Sequence, residues 1–389
     1  MITTSETNVL SPVKTLSLVN FLTTIFQRGD SFALWRKPNE SQTNLVICKE
    51  LHPLDEPELH DLPAGFIVAP FLSEKTKYFL KADWYFKVGP QNEITDGQSQ
   101  PPYIFENDVK ATFKLPHRST SKVLESKHPY EEIVSKALKE IANGSFEKVV
   151  PSRYLDIQLP ESFDLLTTFH RLCSNYPNAL VSLFSSPETG LWMGASPELL
   201  VSVDSNLIFR TVALAGTLPY KEGMNLKSVA WTEKEIEEQA LVSRYIINCF
   251  KKIRLREYEE HGPRTAIAGN LLHLKTEYAV DMNAVNFPTL GTVMLKLLHP
   301  TSAVCGMPLS NALEFLKNHE GYDREFYSGY LGPVNIQDET SIFVNLRCMK
   351  ISESTARLFA GAGITIDSQP SIEMAETEMK MKTLLNIIA

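Results

Sequence analysis

Two pairs of glutamates frame the chemistry open to this sequence. Glu235 and Glu238 stand three residues apart in KEIEEQ, Glu373 and Glu376 repeat that spacing in EMAETEMK, and Lys380 follows four further on. Residues three or four apart share one face of a helix, so two helices would each present a carboxylate pair. Four carboxylates brought together repel one another unless a divalent cation lies among them, and oxygen-only ligands suit Mg2+ better than zinc. Glutamate pairs on solvated helix faces share this spacing, and the pattern alone leaves both readings standing.

Other residues offer acid, base and anion-binding chemistry, each beside a plainer alternative. Lys148 opens the apolar run KVV, where a buried lysine can act as a base and an exposed one merely snorkels to water. Glu198 lies between Pro197 and Leu199-Leu200, as an acid in an apolar wall or as a solvent-facing strand residue. The small residues of FAGAGI (359–364) and ALAGT (213–217) let backbone N–H groups approach an anion, or serve as tight turns. His273 and His299 are read as hydrogen-bonded structural histidines.

These groups need particular elements to carry them. Thr232 and Glu235 form a capping box ahead of Ile236, Ala240, Ile246, Ile247 and Phe250, which predicts one long helix as far as Phe250. Ser371 opens a second, terminal helix through Ile388. A helix after Pro129 buries Ile133, Val134, Ala137, Leu138 and Ile141 and ends at Asn143-Gly144. Short β-favouring runs at 180–184, 191–193, 199–203 and 207–213, parted by turn residues, predict an antiparallel sheet, as do later runs at 341–350 and 356–360. Earlier come a helix begun at Ser11-Pro12, strands at 31–35, 45–48 and 65–70, and a polar, aperiodic excursion from Val88 to Tyr103.

The whole chain, 389 residues with 43% hydrophobic and 22% charged, has the composition of a folded protein. Its net charge of −8, without a basic stripe, excludes non-specific nucleic-acid binding. Five scattered cysteines with no C-x-x-C pair suggest neither a disulfide framework nor a zinc ribbon, and point to a reducing compartment. The polar N-terminus and the lack of a long apolar run predict a soluble, cytoplasmic protein with no membrane attachment.

Taken in order, KVVPSR (148–153), GASPELL (194–200), ALAGT, KEIEEQ (234–239), LLHLKT (271–276), LHPTSAVCGMP (298–308), FYSGYLGPV (326–334), NLRCMK (345–350), LFAGAGI and EMAETEMK (373–380) resemble the chorismate-utilising, anthranilate synthase component I-like enzymes, and in particular their isochorismate-forming members. The resemblance covers about two thirds of the chain, 129–389. Residues 1–128 correspond to the family's variable N-terminal portion, packing on the same fold. The fold implied is α+β, two mostly antiparallel sheets packed face to face with helices outside.

The resemblance also assigns roles. Glu238 and Glu376 become Mg2+ ligands, with Glu235 and Glu373 holding metal-bound waters. Lys148 becomes the base that activates water, and Glu198 the acid that protonates a departing hydroxyl. For these tasks Lys148 must be available without its proton and Glu198 with one. Tyr327, Arg347, Lys380 and the backbone of Gly361, Ala362 and Gly363 match positions that grip the substrate's carboxylates, and Gly216, Thr217 and His273 match other pocket positions.

The activity implied is Mg2+-dependent conversion of chorismate to isochorismate, supplying menaquinone or a catecholate siderophore. Lysine at 148 and alanine at 215 favour water over ammonia as nucleophile, so no glutaminase subunit is expected and a monomer is. Ala303-Val304 resembles the apolar loop of synthases that stop at isochorismate. Alternatives are a salicylate synthase, which goes on to eliminate pyruvate, and a catalytically silent chorismate-binding protein. Two residues depart from the family pattern: Pro151, which removes a ladder donor from the KVV strand and predicts an edge or bulge there, and Gln239, in place of the usual histidine.

Overall fold

The computed structural model describes residues 18–89, 92–97, 129–221, 223–268 and 271–388. Its helices are α1 (Leu18–Arg28), α2 (Tyr130–Ala142), α3 (Leu165–Asn175), α4 (Glu233–Lys252), α5 (Leu290–Leu298), α6 (Leu309–His319) and α7 (Pro370–Ile388). The strands form two nine-stranded sheets and a separate two-stranded ribbon. The pairings are antiparallel.

The first sheet runs, edge to edge, Ile94–Gly97, Trp84–Val88, Thr43–Cys48, Ser31–Arg36, Leu180–Ser186, Gly190–Ser196, Cys348–Ser352, Thr355–Gly361 and Ser152–Gln158. The second runs Glu259–Ala268, Leu271–Asp281, Ile208–Pro219, Leu199–Val203, Thr340–Val344, Tyr330–Val334, Gly65–Ala69, Lys77–Lys81 and His52–Leu54. Strands from the first third of the sequence thus complete both sheets.

The two-residue period of a strand divides its side chains between two layers. Phe32, Leu34, Leu45 and Ile47 enter a core shared with α1, α3 and α7, whereas Ala33, Trp35, Val46 and Cys48 face the second sheet's Phe66, Val68 and Leu80. On the far side Ile67 and Ala69 pack in the core of α2, α4, α5 and α6. The result is helix, sheet, sheet, helix, as the resemblance implied. Apolar side chains the size of the buried Phe32, Leu34 or Ile67 each contribute roughly 1.5–3 kcal/mol by leaving water.

α2, α4 and α7 lie where periodicity and caps put them. The Val88–Tyr103 excursion is corrected in part: Ile94–Gly97 is an edge strand paired with Trp84–Val88, held by backbone hydrogen bonds that need no apolar pattern. Residues 90–91 and 98–103 lie outside the described residues, as does the Ser11-Pro12 helix start. All five cysteines are unpaired thiols. Among the described residues no helix is long and apolar enough to cross a membrane.

Candidate active site

Lys148 lies on the two-residue strand Lys148–Val149, which pairs with Gly306–Met307 in the separate ribbon. Pro151 accounts for its shortness: the strand stops at Val149 and the chain re-enters a sheet at Ser152, the break that a missing N–H predicts. The Lys148 side chain is fully buried, and Nζ donates to Glu238 Oε1 at 2.9 Å.

Glu198, just past the strand Gly190–Ser196, is 4% exposed. Burial pushes its carboxyl up to about 7, against the opposing pull of Lys148, the Thr301 hydroxyl, Lys380 and Arg347. A carboxyl in that range carries a proton about half the time at neutral pH, which is the state a general acid requires. The same charges place Glu198 and Lys148 in one electrostatic neighbourhood.

The four glutamates of α4 and α7 each have a partner. The Thr232 backbone N–H donates to Glu235 Oε2 at 3.0 Å, so Glu235 closes the capping box at the start of α4. Burial opposes ionisation of Glu238, but Lys148 above all, then Lys380 and Lys234, hold it below the usual carboxylate range. Glu373 is fully buried and accepts from Lys234 Nζ at 2.6 Å; desolvation nevertheless raises its pKa. Glu376 Oε1 lies 2.7 Å from Lys380 Nζ, which also donates to Gly361 O at 2.8 Å. Lys234 is desolvated too, yet Glu373, Glu376 and Glu238 together raise it, so three of the four glutamates act on one spot.

Three lysines thus pair with three of the four carboxylates, Glu238, Glu373 and Glu376, while Glu235 is held by Thr232 at the helix start. Among the described residues no three acidic, histidine or cysteine side chains converge tightly enough to ligate one ion. The donor set nevertheless fits Mg2+, because every candidate ligand is a carboxylate and the buried Glu373 Oε2 makes no hydrogen bond in this arrangement. A cation would enter by taking oxygens that the lysine ammoniums now hold.

The remaining wall is built from strand irregularities. The pairing of Ile208–Pro219 with Leu271–Asp281 slips between Ala215 and Leu218, and Gly216 sits at φ +69°, a left-handed conformation that glycine adopts without strain. The turn offers Gly216 O to His273 Nδ1 at 2.6 Å, with Thr217 half-buried beside it. Burial first, then Arg347 and Lys380, hold His273 down at about 3, so it is neutral; its buried Nε2 has no partner among the described residues.

Arg347 is held at φ +49° between two strands, its pKa lowered by burial and its Nη1 buried without a hydrogen bond. Tyr327 stacks on Phe359 with ring centroids 5.2 Å apart. A cleft is lined by Val150, Ala303, Tyr327, Arg347, Gly361 and Lys380. The Ala362 N–H is already engaged, by Pro151 O at 3.3 Å and Tyr130 Oη at 3.2 Å. At Gly363 a Cβ would stand 2.5 Å from Glu238 Oε1 and 3.0 Å from Lys148 Cε, so the missing side chain makes room for that pair.

Other residues of the sequence analysis take structural places. His299 is half-buried, with Nε2 3.1 Å from Pro70 O, and desolvation lowers it to about 4. Gln239 turns away from the carboxylates and donates to Thr276 Oγ1 at 3.0 Å and Ala213 O at 3.3 Å, tying α4 to the second sheet. Thr301, Lys234 and Tyr130 are site residues that spacing did not single out. Thr301 and Lys234 lay within quoted motifs but were given no chemistry of their own, and Tyr130 stands beside motif residues only in three dimensions.

Face-to-face antiparallel sheets around a buried cleft of lysines and carboxylates define a chorismate-binding enzyme, and the chain belongs to that family, whose model, described as chorismate binding enzyme, matches residues 73–389. Within the family it is similar to isochorismate synthases. It is 31% identical to the isochorismate synthase EntC of Escherichia coli K12 over 267 residues, a stretch that covers 66% of this chain and 66% of that relative. The aligned part thus spans about two thirds of the relative's length. Among solved structures, MenF, the menaquinone-specific isochorismate synthase of Escherichia coli, matches with a TM-score of 0.72 at 20% identity, covering 96% of this chain and 92% of that one. DhbC of Bacillus anthracis, described as a 2,3-dihydroxybenzoate-specific isochorismate synthase, matches with 0.71 at 22% identity, covering 96% and 99%. Both share the fold.

Proposed function

We propose that this chain is an isochorismate synthase, converting chorismate to isochorismate with Mg2+. The observation that carries the reading is the buried Glu198, raised to about 7 in the neighbourhood of the buried Lys148. Mere binding of an anion needs neither an internal acid nor a buried base.

Isomerisation forms a C–O bond at C2 and breaks one at C4, with a shift of the ring double bonds. Lys148, once deprotonated, takes a proton from the attacking water, and Glu198 gives one to the C4 hydroxyl, which leaves as water. Arg347, Tyr327 and Lys380 orient the two carboxylates, where the guanidinium fork can bond bidentately. Glu238 and Glu376 would hold Mg2+, with Glu235 and Glu373 behind its waters; the ion supplies positive charge to the ring carboxylate. Ala303 and Val304 present no proton donor or acceptor side chain to the cleft, which favours release of isochorismate intact. Water as nucleophile removes any need for a glutaminase partner, the working unit is a monomer, and the free thiols suit the cytoplasm.

Purified protein incubated with chorismate and Mg2+ should yield isochorismate, resolved chromatographically. Salicylate with pyruvate, anthranilate formed only with ammonia, or tight chorismate binding with no product at any pH would each replace this reading with another.

A further inference from the structure

Glu320 and Arg324, four residues apart in the segment that follows α6, form a buried ion pair with side chains 5% and 2% exposed, and no role assigned so far uses it. Its hydrogen bonds go to both walls of the cleft. Where Pro151 breaks the base-bearing strand, Arg324 Nη2 donates to Val150 O at 2.7 Å, while Glu320 Oε1 accepts from Ser152 N at 2.7 Å and from Ser152 Oγ at 2.9 Å. Tyr322 Oη lies 2.6 Å from the same Oγ. The pair thus replaces the ladder contacts missing around the proline.

On the other side Arg324 Nη1 donates to Val304 O at 2.9 Å, in the loop that lines the cleft together with Val150 and carries Thr301. The buried Thr301 hydroxyl makes no hydrogen bond among the described residues but lies near enough to Glu198 to favour its ionised form. Arg324 Nε bonds Glu320 Oε2 at 2.8 Å, and the guanidinium lies over the Phe71 ring at 4.1 Å. A buried ion pair is often no more stabilising than apolar residues of the same volume. What apolar residues cannot supply is a rigid fork of donors bonded to two backbone segments at once. Val150 is two residues from Lys148, and Val304 three from Thr301.

We propose that Glu320 and Arg324 are positioning residues that set the separation between Lys148 and Glu198 across the cleft. The inference rests on the reaction proposed above. A displacement of about 1 Å at a catalytic group can cost on the order of a hundredfold in rate while leaving substrate binding largely intact.

The test compares wild type, Arg324→Lys and Ser152→Ala by turnover, KM for chorismate and melting temperature. Arg324→Lys keeps the charge and loses the fork; its kcat should fall roughly 10- to 100-fold while KM moves less than about threefold. Ser152→Ala leaves the ion pair intact and should lower kcat roughly threefold or more, with little change in melting temperature. A merely structural pair would lower melting temperature and yield but leave kcat per active site unchanged, and that outcome overturns the inference. Should Arg324→Lys fail to fold, Ser152→Ala decides alone, and a kcat equal to wild type overturns the proposal. Absence of isochorismate from the wild type would overturn the reaction and with it this inference; an active wild type with unaffected variants would overturn the positioning role only.

Discussion

Lys148 Nζ and Glu238 Oε1 are 2.9 Å apart, which joins the residue assigned to activate water to one assigned to the metal. The bond neutralises the buried Lys148 and the half-buried Glu238 at once. It also keeps Lys148 as a donor, whereas a base must accept. Glu238 must therefore change partner before turnover, and the two assigned roles are energetically linked.

Lys148→Ala should lower isochorismate formation by roughly 10²- to 10⁴-fold, the usual worth of a positioned general base. Mg2+ should bind the variant more tightly than wild type, because no ammonium competes for Glu238. Isothermal titration alongside steady-state kinetics checks both. Normal turnover in the variant would remove Lys148 from the mechanism.

The Glu198 carboxyl, raised by burial to about 7, must be protonated to act as the acid. On the alkaline side kcat/KM should fall about tenfold per pH unit above this value, and Glu198→Gln should be inactive. The folded group titrates above its ordinary value of 4.5, so the native state binds this proton more tightly than the unfolded chain does. Its contribution to stability is complete below about 4.5, declines as pH rises, and is lost above about 7, a difference of about 3 kcal/mol. Thermal melts at pH 5 and pH 8 should show Glu198→Gln gaining on wild type only at the higher pH.

Chelation should abolish activity, and added Mg2+ should restore it. The ion should also raise the melting temperature, since a ligand at a hundred times its Kd adds about 2.7 kcal/mol to the native state. Glu376→Gln should shrink that thermal shift. An undiminished shift in this variant would place the ion elsewhere.

Gly363→Ala puts a methyl 2.5 Å from Glu238 Oε1 and 3.0 Å from Lys148 Cε. The carboxylate is the more mobile neighbour and should give way, so the variant should fold, bind Mg2+ less tightly and turn over at least about tenfold more slowly. Melting curves and titration separate this outcome from misfolding.

Legibility in the sequence followed physical causes. α4 and α7 could be read because their capping residues and apolar period are local, and the glutamate pairs came with them. The strands at 31–36, 43–48 and 180–186 could be read because runs buried on both faces are continuously apolar. The pair Glu259–Ala268 and Leu271–Asp281 could not, since its outer strand is charged, interrupted by Gly262-Pro263 and without apolar alternation. Nothing local announces that three lysines occupy oxygens of Glu238, Glu373 and Glu376, or that Arg324 reaches Val150 across 174 positions.

Ser31–Arg36 lies between Thr43–Cys48 and Leu180–Ser186, and Gly65–Ala69 lies against Tyr330–Val334. Cutting the gene at codon 129 would therefore not liberate a working enzyme. The fragment would carry two raw seams, one along seven inward-packed positions from Leu180 to Ser186, each ready to zip onto a neighbouring copy. Inclusion bodies are the fate such a truncation invites, which makes the least motif-rich third of the polypeptide its solubility tag.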